Sequence, residues 1–385
     1  MQLLLNNRKE KLDRMLKLCK KCIDRLEIDV EEVEGKNCLL CGGLLWQIDD
    51  IAERISERLH EYEFETFLVG SRIEGSIKAL EEYIFEKYSV DKDKSIKHQF
   101  NRELGTALAI KTGKNVSFSK PDITIIYNLE KNDFEIQVKP LYIYGRYKKR
   151  VRNIPQTRWF CSACGGKGCE VCNHTGKKYP ISVEELIAEP CRRIAKGDYA
   201  ILHGSGREDV DARMLGNGRP FIVEIQNPRR RKIDLKELQE IINREAKGKV
   251  AVSDLKFAEA KDVEYLKSAG FRKTYRAKVE FDRKVSREEL EKALERIRNT
   301  VIHQRTPKRV EHRRADLVRK RRTYDIRLLL HKGKVAVIEI EADSGLYIKE
   351  LVSGDDGRTT PSLSEALNIG ARVVKLDVIK VDGGL

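Results

Sequence analysis

The chain has 385 residues, room for two or three domains of ordinary size. It is 40% hydrophobic and carries 76 Lys and Arg against 61 Asp and Glu, a net charge of +15, with nine cysteines. This composition excludes a disordered chain, and no apolar run reaches the roughly 18–20 residues of a membrane span.

The longest apolar run, residues 39–46, is broken by Cys41, Gly42 and Gly43. The N-terminal residues 1–5 turn polar at Asn6, too early for a signal peptide. A reduced, cytoplasmic protein is expected. The basic surplus suggests an acidic partner, nucleic acid first among them. The 36% charged content, with Gln and Met scarce, resembles that of proteins from hot environments.

In chain order, Leu12, Met15, Leu16 and Leu18 have heptad-like spacing. Ile48, Ile51, Ile55 and Leu59 recur at three and four, so helices are expected on both flanks of the first cysteine pairs. Over 63–150 the pattern is α+β: a strand at 64–69, helices at 76–88 and 103–111, then strands at 121–127 and 134–138. Residues 151–178 are a linker-like stretch rich in Gly and Cys. Beyond it, helices are predicted at 183–194, 235–246 and 287–298, and strands at 220–225, 274–281, 324–330 and 334–341. The domains expected are a cysteine-pair region at 1–62, an RNA-binding α+β domain at 63–150, a second cysteine cluster at 151–178 and a catalytic domain at 179–385. There is no repeat and no low-complexity tract.

Eight cysteines form Cys-x-x-Cys pairs. Cys19/Cys22 and Cys38/Cys41 are separated by 15 intervening residues, the four-cysteine zinc spacing. Four protein thiolates leave no open position on the metal, so the site predicted is structural. The alternative is four reduced, buried thiols. Cys161, Cys164, Cys169 and Cys172 lie in one Gly-rich run with four residues between the pairs. A second zinc is expected there, with a pair of disulfides as the rival in an oxidising or hyperthermophilic setting. Cys191 is left over and reads as a buried apolar residue.

His203-Gly-Ser-Gly206-Arg207-Glu208-Asp209-Val-Asp211 follows an apolar stretch and reads as a tight turn presenting an acid. Its glycines lack the third of a dinucleotide fingerprint. A carboxylate beside an arginine stays ionised and can act as nucleophile or base. Taken alone, the run also fits a salt-bridged turn. Tyr275 begins a strand among cations, where it can stack on a base or serve as an ordinary core-edge tyrosine.

Basic residues are dense from 305 to 327: Arg305, Lys308, Arg309, Arg313, Arg314, Arg319, Lys320, Arg321, Arg322 and Arg327, opposed by Glu311, Asp316 and Asp325. Phosphate contacts are expected there. A second patch, Arg146, Lys148, Lys149, Arg150 and Arg152, is interleaved with Tyr142, Tyr144, Tyr147 and Trp159, which suits RNA.

Together these segments resemble the pseudouridine synthases. Gly206-Arg207-Glu208-Asp209 is similar to the family's catalytic-aspartate motif, and Lys273-x-Tyr275-x-Ala277 to the motif of its active-site tyrosine. Gly345-Leu-Tyr347-Ile348-Lys349-x-Leu351 resembles the later motif with an aliphatic and a basic residue. Val373-Val-Lys-Leu376 resembles the final core strand. The strings Arg213-Met-Leu-Gly-Asn-Gly-Arg-Pro-Phe221 and Arg305-Thr-Pro-x-Arg309-Val-x-His312-Arg-Arg314 are more specific. They are similar to the archaeal, THUMP-containing branch of the Pus-ten type.

The resemblance implies an α+β fold: a zinc-bearing, THUMP-containing N-terminal region and a catalytic domain built on a mixed or antiparallel central sheet. It implies isomerisation of uridines 54 and 55 in the T-arm of tRNA. Asp209 would start glycosidic cleavage, with Lys349 paired to it and Arg207 assisting. Asp211 is a rival acid. Tyr275 would stack on the flipped uracil, Tyr347 would contact the nucleotide, and Ile348 and Leu376 would line the pocket. Catalysis would need no cofactor, the zinc being structural at one or two ions. The partner is tRNA, with neither a membrane nor an obligate protein partner implied. A THUMP-type methyltransferase or thiolation enzyme would need a glycine-rich nucleoside loop or a pyrophosphatase loop, and neither is present. A non-catalytic RNA-binding protein is the third class.

Overall fold

The computed structural model describes residues 15–385. They form two compact units, one running to Pro140 and including Gln226–Lys232, the other comprising Leu141–Ile225 and Ile233–Leu385. No helix among the described residues is long and apolar enough to cross a membrane.

The first unit opens with β1 (Lys17–Cys19), α1 (Lys20–Leu26) and β2 (Glu31–Val33), and β1 pairs in parallel with β2. Leu18 therefore lies in a strand rather than in the expected helix, and Leu12 lies outside the described residues. The extended segment ends at Cys19, which caps α1 and turns its thiol towards the other cysteines. Next comes α2 (Ile48–Leu59), whose apolar spacing becomes a buried stripe of Ile48, Ile51, Ile55 and Leu59.

β3 (Thr66–Arg72), α3 (Gly75–Tyr88), α4 (Ile96–Thr112), β4 (Asn115–Val116), β5 (Ile123–Asn128) and β6 (Asp133–Val138) complete the unit. Its sheet runs β4-β3-β5-β6. Helix α4 starts earlier than apolar periodicity suggests because Ser95 caps it. The buried Glu81 carboxylate also accepts the Ile96 N–H at 2.6 Å.

The second unit contains β7 (Leu141–Lys149), α5 (Val183–Ala195), β8 (Tyr199–Gly204), β9 (Arg213–Gln226), α6 (Leu235–Glu245), β10 (Val250–Ala258), α7 (Ala260–Ser268) and β11 (Lys273–Phe281). It continues through α8 (Arg287–Ile297), β12 (Val301–Arg305), β13 (Val318–Lys332), β14 (Val335–Ala342), α9 (Ile348–Ser353), β15 (Thr359–Thr360), α10 (Leu363–Leu367) and β16 (Ala371–Val381). One large sheet runs β10-β7-β9-β16-β11-β14-β13-β12-β15, with β8 on β9. The β16–β9 pair is parallel and the other pairs along this path are antiparallel, a mixed sheet. Val223, Ala277, Ile338, Ile340 and Leu351 are fully buried in its core.

Strand β7 lies inside this sheet, although its residues were expected within the 63–150 domain. Ile143, Tyr147 and Lys149 alternate onto its buried face, and the cationic Lys149 disguised that alternation. Tyr347 and Lys349 follow a sharp turn at Gly345, whose φ is +85°. Tyr347 caps α9, and Lys349 stands in its first turn.

Candidate active site

One cavity of about 260 Å³ in the second unit is lined by Arg207, Asp209, Tyr275, Tyr347, Ile348, Lys349 and Leu376. These seven residues come from the loop before β9, from β11, from the start of α9 and from β16. Lys273, Arg309 and Arg314 line the same cavity.

The turn carrying Asp209 depends on Gly206, whose φ of +80° lies in the left-handed region. A Cβ there would stand 3.2 Å from Lys273 Nζ and 3.3 Å from an Arg219 nitrogen. The Asp209 carboxylate is held by two cations. Arg309 donates to Oδ1 at 3.1 Å, and Lys349 Nζ lies 3.3 Å from Oδ2. Arg207 does not serve Asp209; it donates to Thr157 Oγ1 at 2.9 Å. Lys349 also reaches both Asp211 oxygens at 2.9 Å. Burial pushes the Asp211 carboxyl up, but the Lys349 ammonium outweighs it and holds the group below its usual value. Asp211 is exposed and is absent from the cavity lining.

Beneath the loop is a buried polar network. Glu208 accepts from Arg219 Nε at 2.9 Å and from the Tyr147 hydroxyl at 2.9 Å. Gln156 donates to the Tyr147 oxygen and to the Gly206 carbonyl, each at 2.8 Å. Lys149 Nζ donates to the carbonyls of Ile154 at 2.8 Å and of Asp209 and Val210 at 3.2 Å. Burial draws the Lys149 ammonium below its usual value, while Glu208 acts in the other direction. Three full hydrogen-bond donors thus fix the backbone that presents Asp209.

Tyr275 is buried, which pushes its phenol up to about 12 against the opposing pull of Arg219. The phenol therefore keeps its proton at pH 7. The Tyr347 N–H donates to Gln304 Oε1 at 2.8 Å, and its carbonyl accepts from Gln304 Nε2 at 3.0 Å. The Arg309 guanidinium lies over the Tyr347 ring at 5.7 Å and donates to the buried Glu350 at 2.6 Å.

The second basic patch read from the sequence is largely internal. Arg146 donates to the carbonyls of Asn217, Gly218, Val381 and Gly383. Arg152 donates to Asp377 and to the carbonyls of Asp211 and Leu376. Tyr144, Tyr147 and Lys149 are buried, and Arg150 is exposed. In the other patch, Arg305 pairs with Asp316, Lys308 with Asp356, and Arg327 with Asp325. Among the described residues, Arg314, Arg319, Lys320 and Arg321 form no such carboxylate pair; Arg319 donates to Thr306 and Arg321 to the Lys320 carbonyl.

Sequence reasoning missed Lys149, Glu208, Arg219, Gln156 and Glu350 as support for the site. The signal available was the string leading to Phe221. Gly216 has φ +56°, and a Cβ there would lie 1.6 Å from the Ile379 carbonyl oxygen, so β9 can approach β16 only with glycine. Arg219 from the same string reaches Glu208, and Arg213 clasps Asp377 at 2.9 and 2.7 Å.

The two cysteine quartets each bring their sulfurs within 4.8 Å of one another. Cys19 and Cys41 are 3.7 Å apart, Cys169 and Cys172 3.7 Å, and Cys161 and Cys169 4.0 Å. A tetrahedron of thiolates about 2.3 Å from a zinc ion has edges of about 3.8 Å, whereas a disulfide needs about 2.05 Å. Both donor sets fit zinc. A bound ion would cross-link each loop through a closed coordination shell. Cys191 is fully buried, and burial raises its thiol to about 12.

Comparison with known proteins follows this division. Residues 142–382 match the family described as "Pus10, C-terminal", and residues 51–128 match "Pus10 THUMP domain, archaeal". The curated protein "tRNA pseudouridine synthase Pus10" of Archaeoglobus fulgidus is 54% identical over 95% of this chain and 100% of its own length. Its namesakes from Methanothrix thermoacetophila and Methanocaldococcus jannaschii are 46% and 45% identical over 93% and 97% of this chain, and 79% and 82% of their own. The fold is that of a pseudouridine synthase accompanied by a THUMP domain. The chain belongs to the Pus10 family of tRNA pseudouridine synthases.

Proposed function

We propose that the chain converts uridines 54 and 55 in the T-arm of tRNA to pseudouridine, with Asp209 as the group that initiates the reaction. One observation carries this reading. The Asp209 carboxylate, tethered by Arg309 and Lys349, faces the same cavity as Tyr275, Ile348 and Leu376. A flipped uracil would stack on Tyr275, with Ile348 and Leu376 against it, after leaving the helix at a cost of a few kcal/mol. Tyr347 would contact the nucleotide, and Arg207 its flank.

Asp209 would act as nucleophile at the sugar or as base beside it. The C1′–N1 bond breaks and its electron pair goes to the ring; C5 then bonds to C1′, displacing the Asp209 oxygen where that has bonded there; the C5 proton departs and N1 takes one up. Atoms and electrons balance within the substrate, so neither a reductant nor a group donor is required. Arg314, Arg319, Lys320 and Arg321 would hold phosphates, each steepening the salt dependence of binding. The domain boundaries near 62 and 178, with the domain between them ending at Pro140 rather than 150, and a cytoplasmic location belong to the same reading. The zinc sites would shape the fold and stay outside the chemistry.

The test is Asp209→Asn, assayed by mapping pseudouridine in a tRNA transcript. Binding should persist while product at 54 and 55 disappears. Unchanged product would exclude Asp209, and loss with Asp211→Asn alone would transfer the role to Asp211.

A further inference from the structure

Lys273 is the feature of the cavity that the reading above leaves unused. It is 5% exposed, yet it lines the cavity. It stands two residues before Tyr275 on β11, and both side chains lie on the buried face. Side chains at i and i+2 on one face are separated by about 7 Å. A base stacked on Tyr275 therefore brings an edge towards Lys273. The ammonium donates to Ser344 Oγ at 2.8 Å, and Ser344 lines the cavity too. An ammonium has three protons to donate, so two remain for an occupant. The carboxylate that acts on it electrostatically, Glu208, is already held by Arg219 and Tyr147.

We propose that Lys273 is a further catalytic residue, which donates hydrogen bonds to a carbonyl oxygen of the target uracil and stabilises the charge that the ring takes up. This rests on the proposed uridine isomerisation. When the C1′–N1 bond breaks, its electron pair passes to the uracil ring, and the two carbonyl oxygens share the negative charge. A buried cation aimed at one of them acts most strongly at that moment, because Lys273 is itself shielded from water. The charge is discharged when C5 bonds to C1′, after which the C5 proton departs and N1 takes one up.

Geometry gives the role, and electrostatics make it visible. Burial and the neighbouring Arg219 bring the Lys273 ammonium down to about 7, with Glu208 opposing. The groups facing it are Arg219 on β9 and Glu208 on the preceding loop. On its own strand, Tyr275 keeps its proton up to about 12. Its charge should therefore be lost near neutrality, and kcat/KM should fall as pH rises through about 7.

The experiment compares wild type, Lys273→Met and Lys273→Arg in single turnovers on one tRNA. The target uridine is tested as such, as 2-thiouridine and as 4-thiouridine. Lys273→Met should slow conversion of uridine by about 100-fold, with the Kd for tRNA unchanged within about twofold. Because sulfur accepts hydrogen bonds poorly, the penalty should shrink on one of the thio substrates, naming the oxygen contacted. Lys273→Arg should retain more activity and lose the fall in kcat/KM above neutral pH. Equal penalties on all three substrates, or no slowing at all, would overturn the proposal. A wild type that makes no pseudouridine would instead overturn the proposed function.

Discussion

Replacing Lys273 with Met should stabilise the second unit, and the gain should depend on pH. An ordinary lysine titrates at 10.5, and the folded environment brings this one to about 7. At about 1.36 kcal/mol per pH unit, that difference is on the order of 5 kcal/mol. The sign follows from proton counts. Between about pH 7 and 10.5 the unfolded chain keeps a proton that the folded chain has released, so wild-type stability rises with pH across this window. Below about 7 both states are protonated, and the buried ammonium imposes its full cost. Methionine has similar length and no charge. It leaves Ser344 without its donor, a loss of about 1 kcal/mol. At pH 6 the variant should thus be more stable by about 4 kcal/mol, and near pH 10 the two proteins should converge. Trp159 lies in the second unit and Trp46 in the first. Urea melts followed by fluorescence in a Trp46→Phe background therefore report the unit in question. Parallel pH dependences, or a variant less stable at pH 6, would refute the reasoning.

Arg309→Met should strand the buried Glu350 carboxylate, costing about 3–5 kcal/mol in the same melts. It also frees one side of Asp209, and the single-turnover rate should drop about 10- to 100-fold. Lys149→Met removes the donor from the Ile154, Asp209 and Val210 carbonyls. It should lower kcat about 10- to 100-fold with little change in KM, because the loop loosens while the RNA surface is untouched. Elemental analysis of protein purified under reducing conditions should find two zinc ions per chain, and Cys38→Ser should remove one of them. Chelation should lower the Tm of the first unit, since structural zinc contributes about 10–16 kcal/mol of apparent binding energy in small modules.

The fold was legible where one face of an element is apolar. Ile48, Ile51, Ile55 and Leu59 announced α2, and the alternation of Ile123, Ile125 and Tyr127 announced β5. It was hidden where a buried position carries charge. Strand β7 buries Lys149, so hydrophobic alternation breaks at the residue that supports the loop carrying Asp209. Helix α9 is six residues long, shorter than the two turns that make a periodicity visible. The capped start of α4 depends on Glu81, which is distant in sequence.

Charge is the clearest case of what a sequence conceals. A run such as Arg146 to Arg152 looks the same whether its side chains face solvent or each other. Hydrogen-bond geometry decides between these cases, and geometry depends on partners up to 237 residues away, as with Arg146 and Gly383. Arg146 and Arg152 spend their donors on carbonyls that join β7 and its flank to β9 and β16. They are cross-links of the sheet, and their removal should be felt as stability before it is felt as affinity. Arg309 is committed to Asp209 and Glu350, so it belongs to the cavity although it lies in the densest basic run. Arg314 lines the same cavity, and Arg321 lies beside Gly345. A phosphate held by these two would stand next to a base stacked on Tyr275. Affinity for the RNA and placement of its target base would then come from adjacent residues. Removing Arg314 or Arg321 should lower the salt dependence of binding by about one counterion each and should also slow the flipping of the base.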